Sequence, residues 1–249
     1  MRAVVTGASS GLGREFAIIL DKMGYDVVAV ARRKERLEEL KNSLKNNTEI
    51  RVLDLSKEDD VKKLFEEFPD ADVLINNAGF GVFGEFFKSD LDKEMSMIDV
   101  NIKALHMLTK LYLGNMRNKN SGYILNVASA AAFYPGPVFS SYYASKAYVY
   151  RLSRAIRREL KKEKSGVSVS VLCPGPVKTE FGDVADVHFG IGGPSAKWVC
   201  EYAVKKMFSK KTVIVPGFLM KCTRVLSKLL PDCIGERVVY MIQKQKKGL

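Results

Sequence analysis

The sequence predicts an α/β fold: a single Rossmann-type domain whose doubly wound parallel sheet has about seven strands, with helices on both faces and a C-terminal helical extension. Three observations lead there. Short, nearly continuous Val/Ile/Leu runs alternate with segments of helical periodicity along residues 1–215. Parallel strands buried on both faces read as such runs rather than as alternating ones. The chain has 249 residues, 47% of them hydrophobic, enough for one well-cored domain, and no repeat, low-complexity tract or linker divides it.

Residues 3–6 make the first strand. Residues 11–23 follow as a helix, with Leu12, Phe16, Ile19, Leu20 and Met23 three and four apart. The strand 26–31 leads to the helix 33–46, where Leu37, Leu40 and Leu44 form one stripe and Lys34 and Glu38 lie outside. After the strand 50–55, Ser56 is expected to cap a helix over 57–68, with Asp59 three residues on. Strand 73–76 precedes the helix 98–113, and strand 123–127 precedes the helix 142–164. Strand 167–173 is followed by a helix over 194–210, whose Pro194 stands early, where a missing N–H costs nothing. Strand 212–215 closes the core, and residues 216–249 form the extension.

No apolar run reaches 18 residues, so no membrane span is expected. The N-terminus runs straight into a strand and lacks the features of a secretory signal. The four cysteines show no metal or disulfide spacing, so no metal is expected and a reducing, cytoplasmic setting fits. The net charge is +12, and residues 205–249 hold eleven Lys/Arg against two Asp/Glu. Such a bias suits anionic substrates, a membrane surface or nucleic acid, or is simply a solvated face. No recognised nucleic-acid motif supports that third partner.

Ligands of such sheets bind beyond the carboxyl ends of the strands. After the first strand comes Thr6-Gly7-Ala8-Ser9-Ser10-Gly11-Leu12-Gly13, then a helix. Gly7 allows a tight turn, Gly11 allows backbone to approach a pyrophosphate, and Gly13 allows close packing of helix on strand. The helix N-terminus offers N–H groups to phosphate. No Gly-Lys-Ser/Thr follows, which excludes a P-loop. The second strand ends in Ala31-Arg32-Arg33, with no carboxylate to repel a 2′-phosphate and two guanidiniums to bind one. This favours NADP(H); otherwise Arg32 and Arg33 merely open a charged surface helix.

With Asp54-Leu55, Asn76-Asn77-Ala78-Gly79, Asn101, Ser129, Tyr142-Tyr143-Ala144-Ser145-Lys146 and Pro174-Gly175-Pro176-Val177-Lys178-Thr179, the chain resembles the short-chain dehydrogenase/reductase family over about residues 3 to 215, in its NADP(H)-preferring, 3-oxoacyl reductase and hydroxysteroid dehydrogenase-like branches. The resemblance implies that Thr6, Gly7, Ser9, Ser10, Gly11, Leu12 and Gly13 surround the phosphates, and that Asp54 and Leu55 meet the adenine. Asn76, Ala78 and Gly79 would line the nucleotide, while Asn77 holds neighbouring strands. Pro174, Gly175 and Val177 would re-aim the chain so that Thr179 anchors the carboxamide. Tyr142 is implied as acid and base, Lys146 as holder of the nicotinamide ribose, Ser129 as donor to the carbonyl oxygen, and Asn101 as positioner of a water leading to Lys146. Asn101 read by itself could equally be a helix distortion.

Tyr-x-x-x-Lys occurs three times, at Tyr142/Lys146, Tyr202/Lys206 and Tyr240/Lys244. Only the first follows the fifth strand with a serine, Ser129, at that strand's exit. Tyr142 and Lys146 share a helix face, and the ammonium is expected to favour the phenolate.

The segment 180–193, rich in glycine and carrying Phe181 and Phe189, suits a lid. Phe80, Phe83, Phe86 and Phe87, with Phe133, Tyr134 and Phe139, supply candidates for an apolar pocket and equally for core. His106 and His188 have no evident partner in sequence. In the extension, Phe218, Leu219, Cys222, Val225, Leu226, Leu229 and Leu230 make an apolar stripe opposite Lys221, Arg224 and Lys228, and Pro231 ends that helix before a second basic amphipathic piece. The stripe either caps the substrate cleft or a subunit interface, or lies peripherally on an anionic membrane. The reading is an NADPH-dependent oxidoreductase acting on a small-molecule hydrophobic ketone or 3-oxoacyl-type carbonyl. The alternative is a non-catalytic, NADP-binding regulatory or membrane-peripheral protein. The family's usual minimum is a homodimer through the 98–113 and 142–164 helices, and the tail puts a tetramer in doubt.

Overall fold

The computed structural model describes residues 1–181 and 193–245, with the side chain of Gln245 outside that description. Seven strands form one parallel sheet: β1 (Arg2–Thr6), β2 (Asp26–Ala31), β3 (Thr48–Val52), β4 (Val73–Asn76), β5 (Tyr123–Val127), β6 (Ser168–Leu172) and β7 (Val213–Ile214), in the order β3-β2-β1-β4-β5-β6-β7. The order reverses between β1 and β4, and there the chain leaves a crevice at the carboxyl ends of the strands.

Each strand sends alternate residues to opposite faces, and each face is covered. Val5, Ala29, Ile75 and Leu125 pack with Phe16 and Leu20 of α1 (Gly11–Lys22), Leu37 and Leu40 of α2 (Lys34–Ser43), and Val199 and Ala203 of α7 (Ala196–Phe208). Val4, Val28, Leu74 and Ile124 pack with Val61 and Leu64 of α3 (Glu58–Glu67), Leu108 and Tyr112 of α5 (Leu105–Asn118), and Leu160 of α6 (Ser140–Lys162). Helices on both faces explain why these strands carry few polar residues.

The departures from expectation are local. β3 starts and ends earlier than the predicted 50–55: Leu53 N still donates to the Ala31 carbonyl at 3.1 Å, and Asp54 and Leu55 beyond it join the cavity wall. Ser56 does not cap α3: its hydroxyl and its N–H both donate to Asp54 Oδ1, at 2.9 and 3.1 Å, and Lys57 takes the N-cap position without a side-chain bond. A helix over 91–98 was not expected. It is α4 (Leu91–Ile98), capped by Asp90, whose carboxylate accepts from Lys93 N at 3.1 Å. α4 runs into α5 through a widened π-helical turn, Asp99–Ala104. His106 does have a partner, Tyr148 Oη at 2.7 Å. His188, Phe189 and the proposed lid glycines Gly182, Gly190 and Gly192 lie outside the described residues, whereas Gly193 is described and lies against the Pro176 carbonyl. Among the described residues, no helix is long and apolar enough to cross a membrane.

The extension folds as α8 (Phe218–Leu229) and α9 (Asp232–Gln245). Both return onto the body: a Cβ at Gly175 would meet Met220 Sδ at 2.6 Å, one at Gly235 would meet the Tyr134 ring at 2.5 Å, and Tyr134 Oη donates to the Thr223 carbonyl at 3.2 Å.

Candidate active site

A cavity of about 860 Å³ opens at the carboxyl edge of the sheet. One end is walled by Gly7, Ser9, Ser10, Gly11, Leu12, Arg32, Arg33, Asp54 and Leu55, the middle by Ala78, Gly79, Ser129, Tyr142 and Lys146, and the far end by aromatics and by α8 and α9.

The nucleotide end is built by the turn from β1 to α1. Gly7 and Gly11 hold φ of +67° and +52°, conformations that suit glycine. Gly13 lies so close to the Gly7 carbonyl that any Cβ would collide, the expected close packing of helix on strand. A Cβ at Gly11 would meet Thr179 Cβ and Cγ2 at 3.3 Å, so its bareness admits the loop after β6 as well as a ligand. No side chain caps α1 and no acidic residue occupies its first turn, which leaves its leading N–H groups for an anion. Arg33 spans this turn, with Nη2 donating to Ser10 Oγ at 2.7 Å and Nε to Ser9 Oγ at 3.3 Å. Arg33 and Arg36 also pair with Glu180, at 3.1 and 2.9 Å; sequence reading missed this carboxylate, which carries no local motif. Burial raises the Asp54 carboxyl, but hydrogen bonds from Ser56 and the charges of Arg32 and Lys57 outweigh it and hold the group below its usual range. Those bonds use Oδ1. These features fit a dinucleotide phosphate and adenine.

Four assigned residues stand behind this wall rather than on it: Gly13, packed against the Gly7 carbonyl, and Thr6, Asn76 and Asn101. The Thr6 hydroxyl donates to the Ile75 carbonyl and accepts from the N–H groups of Asn77 and Ala78, clamping β1 to β4. Asn76 is 2% exposed and donates to Thr109 Oγ1 and Asn126 Oδ1, in a network that continues to Ser153 on α6. Its side chain points into the core because alternation along β4 turns it from the cavity. Asn77 is the neighbour that reaches the wall, and as expected it also braces β1, donating to the Thr6 carbonyl at 3.0 Å. Asn101 is fully buried in the π turn. Its Nδ2 donates to the Phe80 carbonyl and to Ser145 Oγ, at 2.9 and 3.1 Å, and its Oδ1 accepts from Phe80 N. Both of its side-chain N–H donors are thus committed to holding the wall. A Cβ at Gly79 would lie 2.7 Å from Asn101 Oδ1 and 3.3 Å from Lys146 Nζ, so all three meet at one point.

At the centre, α6 presents Tyr142 and Lys146 one turn apart. Lys146 Nζ donates to the Val127 carbonyl at 3.1 Å and lies 5.7 Å from the Tyr142 ring centroid. The other two Tyr-x-x-x-Lys pairs show the same helix geometry, each with 5.8 Å between ammonium and ring. Burial separates them: Tyr142 and Lys146 are 7% and 4% exposed and line the cavity, whereas Tyr240 is 40% exposed. The same burial governs protonation. It pushes the Tyr142 phenol well above its usual value, with a hydrogen bond with Ser129 opposing the shift, and it pushes Lys146 down to about 8. Burial of the phenol therefore outweighs the expected pull of the ammonium. Ser129 Oγ also accepts from Ala131 N at 3.2 Å, which pins it at the start of the short helical turn Ala130–Phe133.

Behind Tyr142 stands an aromatic wall. Phe139 stacks on it with centroids 4.5 Å apart, and Phe181 lies at 5.5 Å. Val138, just before Phe139, sits at φ +57°, a strained setting for a β-branched residue, and its carbonyl accepts from Gly84 N. Phe80, Tyr134, Phe139 and Phe181 line the cavity, Phe133 packs against Tyr150, and Phe86 and Phe87 are exposed. Pro174, Gly175, Val177 and Thr179 complete the rim. Leu226 and Leu230 of the predicted apolar stripe line the cavity, as its cleft-capping alternative expects, while Met220, Thr223, Val239 and Gln243 line it without having been singled out in the sequence.

Comparison with known proteins bears on the family and the fold. The family model described as short chain dehydrogenase matches residues 1–186. The chain is 34% identical over 192 residues to an uncharacterized oxidoreductase of Staphylococcus saprophyticus, covering 74% of this chain and 81% of that one. It is 34% identical over 198 residues to the very-long-chain 3-oxoacyl-CoA reductase of Anas platyrhynchos, covering 75% of this chain and 63% of that protein's length. A short-chain dehydrogenase from Sphingobium yanoikuyae, solved in complex with NADPH, superposes with a TM-score of 0.81 at 26% identity, covering 93% of this chain and 97% of that one.

Proposed function

The chain belongs to the short-chain dehydrogenase family, and we propose on that premise that it is an NADPH-dependent reductase of hydrophobic ketones or 3-oxoacyl-type carbonyls, with Tyr142 as the proton donor. The observation that carries the proposal is the meeting of Ser129, Tyr142 and Lys146 on one wall of the cavity whose end holds the glycine turn, Arg32 and Arg33.

NADPH bound there supplies the hydride. Reduction of a ketone then leaves an alkoxide, which needs a proton and charge stabilisation. A phenol raised above its usual pKa is protonated at neutral pH, so Tyr142 starts in the donor state. The Ser129 hydroxyl, bonded to the same phenol, is placed to share the carbonyl oxygen. Lys146, depressed to about 8, is still mainly an ammonium at pH 7 and stabilises the phenolate left by transfer. By family likeness it also holds the ribose hydroxyls of the nicotinamide, Thr179 holds the carboxamide, and Asp54 Oδ2 takes the adenine amino group.

The guanidiniums at the end of β2 favour the 2′-phosphate. Arg32→Ala is expected to weaken NADPH binding about tenfold or more while changing NADH binding little; titration of both nucleotides checks this, and equal weakening would remove the phosphate contact. The apolar far end, with Tyr134, Phe139, Met220, Leu226 and Val238, suits a hydrophobic substrate. A homodimer through α5 and α6 is expected, to be checked by sedimentation. The outer face of α8, where Phe218 and Leu219 are exposed beside Lys221, is proposed for peripheral contact with an anionic surface, to be checked by vesicle flotation. The direct test of the activity is loss of NADPH absorbance with a panel of ketones. Inactivity across chemically diverse carbonyls would move the reading to a non-catalytic NADP-binding protein.

A further inference from the structure

Glu180 lines the nucleotide end of the cavity together with Ser9, Ser10, Arg32 and Arg33. Its carboxylate bridges two guanidiniums. Oε2 accepts from Arg33 Nη1 at 3.1 Å and Oε1 accepts from Arg36 Nη1 at 2.9 Å. Glu180 follows β6 and the arginines follow β2, strands that β1, β4 and β5 separate in the sheet, so the bridge spans the crevice. The neighbouring residues fix its place. Lys178 N donates to the Pro194 carbonyl at 3.2 Å. The Thr179 side chain lies 3.3 Å from where a Gly11 Cβ would stand, and the Phe181 ring lies 5.5 Å from that of Tyr142.

The same guanidiniums are where the 2′-phosphate of NADPH is expected, and Arg33 has little left to offer it. Its Nε and Nη2 both donate to Ser9 Oγ, Nη2 donates also to Ser10 Oγ, and Nη1 donates to Glu180. Among the described residues this leaves one N–H of Nη1 from the full set. A phosphate engages arginine best through two parallel N–H groups. The serine hydroxyls rotate and can donate to a phosphate oxygen themselves. The carboxylate only accepts, and it repels the phosphate, so it has to give way. The balance favours that exchange. The three paired side chains are between 41% and 47% exposed, and ion pairs so exposed contribute little, whereas a phosphate brings more charge to the same fork.

We propose that Glu180 is a specificity-determining residue, an internal counter-anion that the 2′-phosphate displaces from Arg33 and that thereby narrows the preference for NADPH over NADH. NADH carries no 2′-phosphate and leaves the bridge in place, so the carboxylate weighs against one nucleotide alone. The inference rests on the proposed binding of NADPH at Arg32 and Arg33 and adds a residue that opposes it from across the cleft. Removing the carboxylate charge is expected to tighten NADPH binding about three- to tenfold, the worth of the two exposed ion pairs, and to leave NADH binding within about twofold.

The test is calorimetric titration of the whole chain with NADPH and NADH, and with 2′,5′-ADP and 5′-AMP, which isolate the phosphate from the nicotinamide. Glu180→Gln keeps the side chain's size and removes its charge; Glu180→Ala removes both and should act alike. Both variants should bind NADPH and 2′,5′-ADP more tightly, and NADH and 5′-AMP as the wild type does. Added to Arg33→Ala, Glu180→Gln should lose most of its gain, because the contested fork is gone. NADPH binding unchanged or weakened by Glu180→Gln, NADH tightened as much, or the full gain retained beside Arg33→Ala overturns the proposal while NADPH binding stands. A wild type that binds the two nucleotides alike, with NADPH selectivity appearing in Glu180→Gln, sustains the role of Glu180 and overturns the NADPH preference of the wild type. Indifference to the 2′-phosphate in wild type and variants together overturns both.

Discussion

Lys146 shows what the centre of the site costs the fold. Its ammonium is buried, donates to a single carbonyl, and is pushed down to about 8 from 10.5. That depression corresponds to about 3 kcal/mol of penalty at neutral pH. Burial disfavours the charged form, so between about pH 8 and 10.5 the unfolded chain binds more protons than the folded one. The penalty is full below that window and fades as pH rises through it. Lys146→Met is therefore expected to stabilise the protein at pH 7 by up to about 3 kcal/mol, less what the Val127 carbonyl loses, and to stabilise it much less near pH 10. Denaturant unfolding at the two pH values measures this, and a destabilised variant at pH 7 would contradict it. Single residues were legible in sequence where context added to spacing. Ser129 before Tyr142 chose among three Tyr-x-x-x-Lys pairs that the helix makes geometrically alike. Asn76 was misplaced because a motif names neighbours without saying which of two adjacent side chains alternation turns inward.

The elements followed their hydrophobic periods, and the misses have local causes. α4 was overlooked because the polar segment 91–98 shows its cap, Asp90, more plainly than its apolar face, where Met97 is the fully buried member. Ser56 looked like a cap, yet Asp54 two residues earlier competes for its hydroxyl. Asn101 had two readings, helix distortion or function, and its place in the widened turn joins them: the distortion brings its amide to Phe80 and Ser145. Asn101→Ala removes three hydrogen bonds at a buried point. It is expected to destabilise the fold by about 1–3 kcal/mol and to lower turnover, because Phe80 and Ser145, the chain neighbours of Gly79 and Lys146, lose their common support. Thermal unfolding together with kcat would show this; a variant of wild-type stability would mean that the amide is dispensable. The amphipathic stripes of α8 and α9 were legible, and the substrate cleft was one of the covers they allowed; Leu226 and Leu230 do line it. For α9 the available signal was Gln243, a lone polar residue among Ile234, Val238 and Ile242.

At the scale of the molecule, alternating apolar runs and helical stripes were enough to specify a parallel sheet, and its strand reversal between β1 and β4 locates the cleft. Sequence order alone does not show that the tail after β7 returns to the far end of the same cleft, because that contact joins residues widely separated along the chain. The topology gathers the glycine turn after β1, the arginines after β2, Ser129 after β5 and the α6 pair along one edge. The central claim is that this edge transfers a proton from Tyr142 to a reduced carbonyl. The most direct measurement is Tyr142→Phe, with NADPH affinity and ketone turnover determined on the same preparation. Removing the phenolic hydroxyl is expected to leave NADPH affinity within about twofold and to lower kcat about 10²–10⁴-fold. Turnover near the wild-type rate, with NADPH still bound, would contradict it.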